Sequence, residues 1–256
     1  MIRTLLIISG AAFVLALASI GGAMALGGRD LARNGWTWTM HDGNDTVRFE
    51  RGDTSDHGPN TTRTLEWTGG NELTISMSGE VDYVQGPDAG VVITGPKSVV
   101  DRVRLENGEL SMTDGAEVVV FNWNGHGPNA WAESERLHIT VTAPSVTRFD
   151  VRGSPDLTIA GYDQPTLTVD VSGSGSAKVS GRTDALTVDV NGSGEAELAN
   201  LAAKTARVDV SGSGEAEINA TDEVAVDISG SGDVTLTQRP ARLTQQLSGS
   251  GEVHGA

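Results

Sequence analysis

Acidic residues recur at a nearly constant spacing through the second half of this 256-residue chain. One set is separated by steps of 20, 19, 20 and 18 residues and consists of Asp150, Asp170, Asp189, Asp209 and Asp227. A second set follows these residues along the chain and consists of Ser176, Glu195, Glu215, Asp233 and Glu252. Carboxylate oxygens are the ligands that Ca²⁺ prefers, and carboxylate pairs hydrolyse polysaccharides. These two sets are therefore the first candidates for a functional site.

The regularity of the two sets favours a structural origin, because a catalytic pair is expected to interrupt a repeat. Carboxylates stacked about 4.8 Å apart repel each other by about 0.9 kcal/mol in water and about 3.5 kcal/mol at an effective dielectric constant of about 20. The Ca²⁺-binding repeat G-G-x-G-x-D does not occur in the sequence. We predict a solvated acidic face and no dedicated cofactor. The alternative is a face that binds cations such as Ca²⁺ weakly, formed by Asp170, Asp189, Asp209 and Asp227.

The repeat that carries these residues has a period near 19. The phrase Val-Asp-Val-Ser-Gly-Ser-Gly, or a variant of it, occurs six times between Phe149 and Gly251, and its first glycine lies at 153, 173, 192, 212, 230 and 249. A fixed period of this length indicates stacked repeats that bury their apolar faces against each other. The glycines predict a sharp corner in each repeat, because glycine adopts positive φ at no steric cost.

Residues on both sides of each corner alternate between apolar and polar, which is the pattern of half-buried strands. In one repeat the apolar members are Leu167, Val169 and Val171 before the corner, and Ala177 and Val179 after it. We predict an all-β protein. Its C-terminal half is a right-handed parallel β-helix, or β-solenoid, with rungs of about 19 residues, and its N-terminal half is irregular and β-rich. A β-propeller or β-sandwich is the alternative, but their repeats are longer or less regular.

Two further groups of residues could contribute to a binding site. Trp123 and Trp131 flank a glycine-rich turn and could stack on sugar rings if they were exposed. We predict that both are buried, because aromatic residues are scarce in this chain and large apolar rings favour the core. The tetrapeptide His-Gly-Pro-Asn occurs at 57–60 and 126–129, and we predict ordinary turns there because these are typical turn residues.

The first 25 residues are typical of an export signal. An uncharged apolar stretch runs from 5 to 26, and Ala23-Met24-Ala25 matches a cleavage site. We predict a signal peptide at 1–25, a polar glycine-rich segment at 26–63 and a solenoid domain at 64–256 with repeats at 149–251. An uncleaved membrane anchor at 5–26 is the alternative. In both cases we expect an exported protein, in the periplasm or on the surface of a bacterial cell.

The charge and the cysteine content narrow the range of partners. The formal net charge is −16 and the chain has no cysteine. An acidic surface repels nucleic acid and anionic lipid, so we exclude nucleic acid and expect membrane contact only through residues 5–26, if they are not cleaved. The absence of cysteine excludes disulfides and thiol chemistry.

Two stretches of the sequence resemble one bacterial family. The first extends from Leu73 to Met112 and contains Val91-Val92-Ile93-Thr94-Gly95, Val99-Val100-Asp101-Arg102-Val103 and Glu106-Asn107-Gly108-Glu109-Leu110. The second is the run of Val-Asp-Val-Ser-Gly-Ser-Gly repeats. Over residues 64–255 the chain resembles the putative auto-transporter adhesin, head GIN domain family. The resemblance implies an exported β-helical domain and transfers no catalytic residues.

Together these observations favour a protein that is not an enzyme. We expect an exported, adhesin-like binding or scaffold module of the cell envelope, whose acidic Ser/Asp/Glu face contacts an envelope polysaccharide or protein. A periplasmic structural or sensory module is the first alternative, and a polysaccharide-active β-helix enzyme is the second. Because an open solenoid edge requires a cap or a pairing partner, we also expect self-association through the solenoid end.

Overall fold

The computed structural model describes residues 37–42, 45–51, 60–115, 117–124 and 127–255. They form two compact units, the first within Met1–Asp56 and Ala116–Trp131 and the second within His57–Gly115 and Ala132–Ala256. Residues 1–25, which carry the predicted signal peptide or anchor, lie outside the described residues, and export stays a prediction. No helix in the described part of the chain reaches the length and apolar character that crossing a membrane requires.

Strands make up most of the described chain, together with a short helix and a 3₁₀ turn. In chain order the elements are β1 (Thr37–Asp42), β2 (Asp45–Arg51), β3 (Asn60–Leu65), β4 (Glu72–Ser76), β5 (Gly79–Gln85), β6 (Gly90–Pro96), α1 (Lys97–Val100), β7 (Val103–Glu106), β8 (Glu109–Met112), β9 (Glu117–Asn124), β10 (Gly127–Ala132), the 3₁₀ turn Glu133–Arg136, β11 (His138–Ala143), β12 (Arg148–Gly153), β13 (Pro155–Asp163), β14 (Thr166–Gly173), β15 (Ser176–Gly192), β16 (Glu195–Gly212), β17 (Glu215–Gly230), β18 (Asp233–Leu236), β19 (Arg242–Gly249) and β20 (Val253–His254).

The first unit contains a four-stranded sheet in the order β1-β2-β9-β10. β1 and β2 are antiparallel, with Thr37 opposite Glu50, whereas β2 and β9 are parallel, with Val47 opposite Glu117. The sequence analysis assigned residues 118–121 to the solenoid domain, but β9 pairs with β2 in this sheet. Neither strand carries the repeat, and periodicity therefore gives no information about their pairing.

The second unit contains the predicted parallel β-solenoid, with about five turns, which confirms the fold class. Its strands form two parallel stacks. The first stack contains β8, β4, β12, β14 and the later parts of β15, β16 and β17, followed by β19. The second stack contains β11, β5, β13 and the earlier parts of β15, β16 and β17, followed by β18 and β20. Each long strand therefore belongs to both stacks.

The core consists of columns of small branched side chains that point inward from both stacks. In the first stack Val169, Val188, Val208 and Val226 lie in register, and all are buried. In the second stack the equivalent column is Ala177, Ala196, Ala216 and Val234. Because the inward positions repeat at every rung, each apolar side chain is covered by a similar one above and below it. The predicted period-two alternation is confirmed for these strands.

Backbone stacking at the corners explains both glycines of the repeat. The first glycine adopts positive φ, for example +120° at Gly212, and the N–H of Ser213 donates to the carbonyl of Gly192 in the rung before at 2.7 Å. The second glycine is required because there is no room for a side chain at that position. A Cβ at Gly194 would lie 2.6 Å from Cγ1 of Val171 and 2.8 Å from the carbonyl oxygen of Gly175. The sequence analysis identified only the conformational reason, whereas close approach of the rungs is the reason for the second glycine.

The two ends of the solenoid differ. At the N-terminal end β7 is antiparallel to β8, and β6 and β3 extend the second stack as antiparallel strands. The helix α1 buries Val99 and Val100 against the core. At the C-terminal end the first stack finishes with β19, whose residues are exposed or half-buried. The N-terminal end is thus capped by elements that do not follow the repeat.

Candidate functional site

The predicted aspartate column is present on the outward side of the first stack. Register pairs place its members directly above one another, in the order Asp150, Asp170, Asp189, Asp209 and Asp227. We call this column the aspartate face. Asp150 is buried, and the other four are half-buried. Asp170, Asp189 and Asp209 each lie between the carboxylates of adjacent rungs, whereas Asp227 ends the column.

Arginines offset the charge of this face at its N-terminal end. The Arg152 guanidinium donates to both carboxylate oxygens of Asp150, at 3.1 and 2.5 Å. The Arg148 guanidinium contacts Oδ2 of Asp170, and its Nε lies 3.6 Å from Oε1 of Glu72. These arginines occupy outward positions in β12, so part of the repulsion within the column is balanced by ion pairs.

Burial also changes the protonation of the column. Burial, followed by a hydrogen bond with Asp189, raises the pKa of Asp170 to about 6, although the Arg148 guanidinium acts in the opposite direction. Burial likewise raises the pKa of Asp209, with smaller contributions from Asp227 and Asp189 in the same direction. Near pH 6 the carboxyl group of Asp170 is therefore partly protonated, which lowers the negative charge of the column.

The structure brings the four predicted cation ligands, Asp170, Asp189, Asp209 and Asp227, into one column. Within the described residues, however, no group of three or more histidine, aspartate or glutamate side chains has an arrangement that could hold a metal ion. A column places one carboxylate per rung on a nearly flat surface, whereas Ca²⁺ requires six to eight oxygen ligands around it. Weak cation binding by this face stays a prediction.

The second carboxylate set lies on the outward side of the second stack and is more exposed. Ser176, Glu195, Glu215 and Asp233 lie in register, as predicted, and the backbone N–H of Glu252 donates to Oδ1 of Asp233 at 2.8 Å. A neighbouring column adds Glu197 beside Glu217. We define the glutamate face by Glu195, Glu197, Glu215, Glu217 and Asp233. Glu195 and Glu215 are exposed, and the other three are half-buried.

The glutamate face has little balancing positive charge. Lys178 Nζ lies 2.5 Å from Oε2 of Glu197, which is the largest of the effects that raise the pKa of this lysine. Glu195 and Glu217 raise that pKa further through their charges. One lysine therefore lies among several carboxylates, which leaves a net negative surface along three successive rungs.

An open groove of about 550 Å³ lies beside the turn between β13 and β14. Its rim contains two exposed ion pairs, Arg182 with Asp163 at 2.6 Å and Lys204 with Asp184 at 2.6 Å. Each pair joins adjacent rungs, because its members lie 19 or 20 residues apart, about one repeat period. Because these side chains are exposed, solvent screens their attraction and their contribution to stability is small. We assign them to the stacking of rungs.

An aromatic cluster fills the solenoid near its N-terminal end. The rings of Tyr83 and Phe149 meet edge to face with centroids 4.9 Å apart, and Tyr162 packs against Phe149 at 6.4 Å. The Tyr83 hydroxyl donates to the carbonyl of Ala143 at 2.8 Å, and the Tyr162 hydroxyl donates to the carbonyl of Thr166 at 2.6 Å. All three residues are buried. These rings have a structural role.

Several predicted features involve residues or side chains that the structure does not describe. The structure does not describe the side chains of Trp123 and Trp131, nor residues 57–59 and 126 of the two predicted turns. Burial of the tryptophans and a turn at 57–59 stay predictions. In the second tetrapeptide, Gly127, Pro128 and Asn129 lie in strand β10 and do not form the predicted turn. Among the described histidines, His138 contacts Glu80 at 3.2 Å and Asp82 at 3.4 Å on the second stack.

Comparisons with solved structures agree with this fold. A putative adhesin from Bacteroides fragilis is similar with a TM-score of 0.60 and 19% sequence identity, covering 77% of this chain and 96% of that chain. A putative lipid binding protein from Parabacteroides distasonis has a TM-score of 0.45 and 18% identity, covering 77% of this chain and 98% of its own. At these identities the likeness to the Bacteroides protein shows the fold alone. None of the curated proteins matches the chain.

The family can be assigned from the sequence itself. The family described as putative auto-transporter adhesin, head GIN domain, matches residues 71–240. This range includes the aspartate face, the glutamate face and all of the capped N-terminal end except β3, and it confirms the resemblance inferred from the repeats. The chain therefore belongs to the putative auto-transporter adhesin, head GIN domain family.

Proposed function

We propose that the chain is an exported, non-enzymatic binding module of the cell envelope, which acts as an adhesin-like domain through the glutamate face. The observation that carries the proposal is the column of in-register carboxylates on three successive rungs, in which Glu195 and Glu215 are exposed and Lys178 lies beside them. Membership of a family described by an adhesin head domain supports the same function.

The glutamate face is a better contact surface than the aspartate face for two reasons. Its members Glu195 and Glu215 are exposed, whereas Asp150 is buried and its column is half-buried. In addition, the aspartate face is partly balanced by Arg148 and Arg152. An exposed and unbalanced charge attracts a partner of opposite charge and increases the rate of association.

The proposed partner is an envelope polysaccharide or protein that presents positive charge or hydroxyl groups. Carboxylates only accept hydrogen bonds when ionised, so they suit amines, guanidiniums and sugar hydroxyls. No cofactor is part of the proposal, and weak Ca²⁺ binding at the aspartate face stays the alternative to a solvated acidic face. The regular register of the carboxylates supports a binding role over hydrolysis, because every rung presents the same chemistry.

The position of the protein in the cell tests this proposal. The chain has no cysteine, so the exposed Asp88 can be changed to cysteine and treated, in intact cells, with a maleimide on a polymer too large to cross the outer membrane. We expect labelling of Asp88→Cys in intact cells. The buried variant Val208→Cys is the control and should remain unlabelled until the protein is unfolded.

Two outcomes would count against the proposal. Labelling of Asp88→Cys only after the outer membrane is opened would contradict an adhesin and favour the periplasmic structural or sensory module. Labelling only after complete lysis would contradict export.

A further inference from the structure

The last strand of the first stack has an uncovered edge. β19 pairs with β17 on one side, and its inward positions are Leu243, Gln245 and Leu247. Leu247 is 48% exposed and Gln245 is exposed, although Val226 and Ile228, one rung earlier, are buried. The residues that follow, up to Gly255, continue along the second stack, where Val253 pairs with Val234. Within the described residues, nothing covers the outer side of β19.

Beyond its first residue, Arg242, this strand lacks the charges that normally protect an exposed edge. Residues 243–251 carry no charged side chain in a chain whose net charge is −16. The aspartate face ends here, because the register partner of Asp227 is Gln246. Edge strands usually carry charge, especially lysine, or proline, which prevents another strand from adding to them. At the opposite end, β7 has only four residues and includes Arg104 and Glu106, so that edge is protected.

The sequence of β19 is complementary to itself in the antiparallel direction. If Gln245 lies opposite Gln245 of a second copy, then Leu243 lies opposite Leu247 and Thr244 opposite Gln246. All paired residues then point to the same side, so the two leucine contacts continue the apolar core. The two Gln245 amides can pair with each other because each contains a donor and an acceptor.

We propose that β19 of two copies pairs antiparallel about a twofold axis at Gln245, joining two solenoids end to end. The partner is a second copy of this chain. The contact is isologous and closes after two copies, because each solenoid has one such edge. This assembly goes beyond the proposed binding function, and it would double the number of glutamate faces presented by one particle.

Charged substitutions at Gln245, the residue on the proposed twofold axis, test the register of the two β19 strands. Gln245→Asp and Gln245→Lys each place two like charges opposite one another in the dimer, whereas the exposed side chain affects the folded monomer little. We expect dimers of the wild-type chain in sedimentation equilibrium and at least a tenfold weaker association for each variant alone. Mixing the two variants should restore the dimer, because aspartate then lies opposite lysine.

A cysteine cross-link provides an independent measurement. Residues directly opposite in an antiparallel pair have Cα atoms about 4.5–5.5 Å apart, which suits a disulfide. Gln245→Cys should therefore form a covalent dimer on mild oxidation, and Ser248→Cys should not, because its two copies would be about 20 Å apart along the strands. A wild-type chain that is monomeric at every concentration, a dimer unaffected by the charge variants, or a mixture that fails to associate would overturn the proposal.

Discussion

Gly212→Ala is expected to lower the free energy of unfolding by about 3–5 kcal/mol, which is a large part of the stability of a typical domain. The backbone at Gly212 has φ of +120°, where an L-residue with a Cβ is strained by about 1–3 kcal/mol. The added Cβ would also lie 2.5 Å from the carbonyl oxygen of Gly192. That oxygen accepts from the Ser213 N–H, so the corner cannot relax without losing a hydrogen bond between rungs.

Substitutions at two other glycines separate the cost of the backbone conformation from the cost of the steric contact. Gly161 has φ of +67° but nothing within 4 Å of the added Cβ, so Gly161→Ala should cost about 1–2 kcal/mol through conformation alone. Gly70→Ala meets no atoms within 4 Å and should be nearly neutral. Urea unfolding followed by circular dichroism measures all three. A Gly212→Ala variant as stable as Gly70→Ala would show that the rungs are not in close contact at the corners.

Phe149→Ala is expected to lower the free energy of unfolding by about 3–5 kcal/mol. Phe149 is fully buried between Tyr83 and Tyr162, so removing its ring leaves a cavity in a closely packed core. Both tyrosine hydroxyls are held by backbone carbonyls, so these rings cannot move into the cavity without losing hydrogen bonds.

The size of the ring can be separated from its aromatic character. Phe149→Leu keeps most of the volume and should cost about 1–1.5 kcal/mol in urea unfolding. Val92→Ala removes a side chain that is 41% exposed and should change the stability by less than about 0.5 kcal/mol. If Phe149→Ala were no more destabilising than Val92→Ala, the aromatic cluster would not contribute to holding the capped end on the solenoid.

The repeated part of the fold could be predicted because its chemistry is periodic. Val169 and Asp170 alternate in the sequence, and the same pair recurs at 188–189, 208–209 and 226–227, so inward and outward faces and their register follow directly. Membership of the family followed from the same repeats with the segment that precedes them. In a regular repeat the neighbours of each rung follow from the sequence, because each rung can bury its apolar side only against an equivalent rung.

The rest of the fold depends on contacts between segments whose sequences do not resemble each other. The sequence does not show that β9 pairs with β2, that β8 stacks on β4, or that Tyr83 meets Phe149 across 66 positions. The two carboxylate columns also appear equivalent in the sequence. Their difference arises from Arg148 and Arg152, which meet the aspartate face only after folding, and from the greater exposure of Glu195 and Glu215.

Binding to isolated cell envelopes tests most directly whether the glutamate face is the contact surface. The wild-type chain is compared with Glu195→Gln/Glu215→Gln/Glu217→Gln and with the control Glu66→Gln/Asp88→Asn/Glu106→Gln, which removes the same charge from exposed positions elsewhere. We predict saturable binding by the wild type and the control, and at least tenfold weaker binding by the glutamate-face variant. Equal binding by all three proteins, or none by the wild type, would contradict the proposed function.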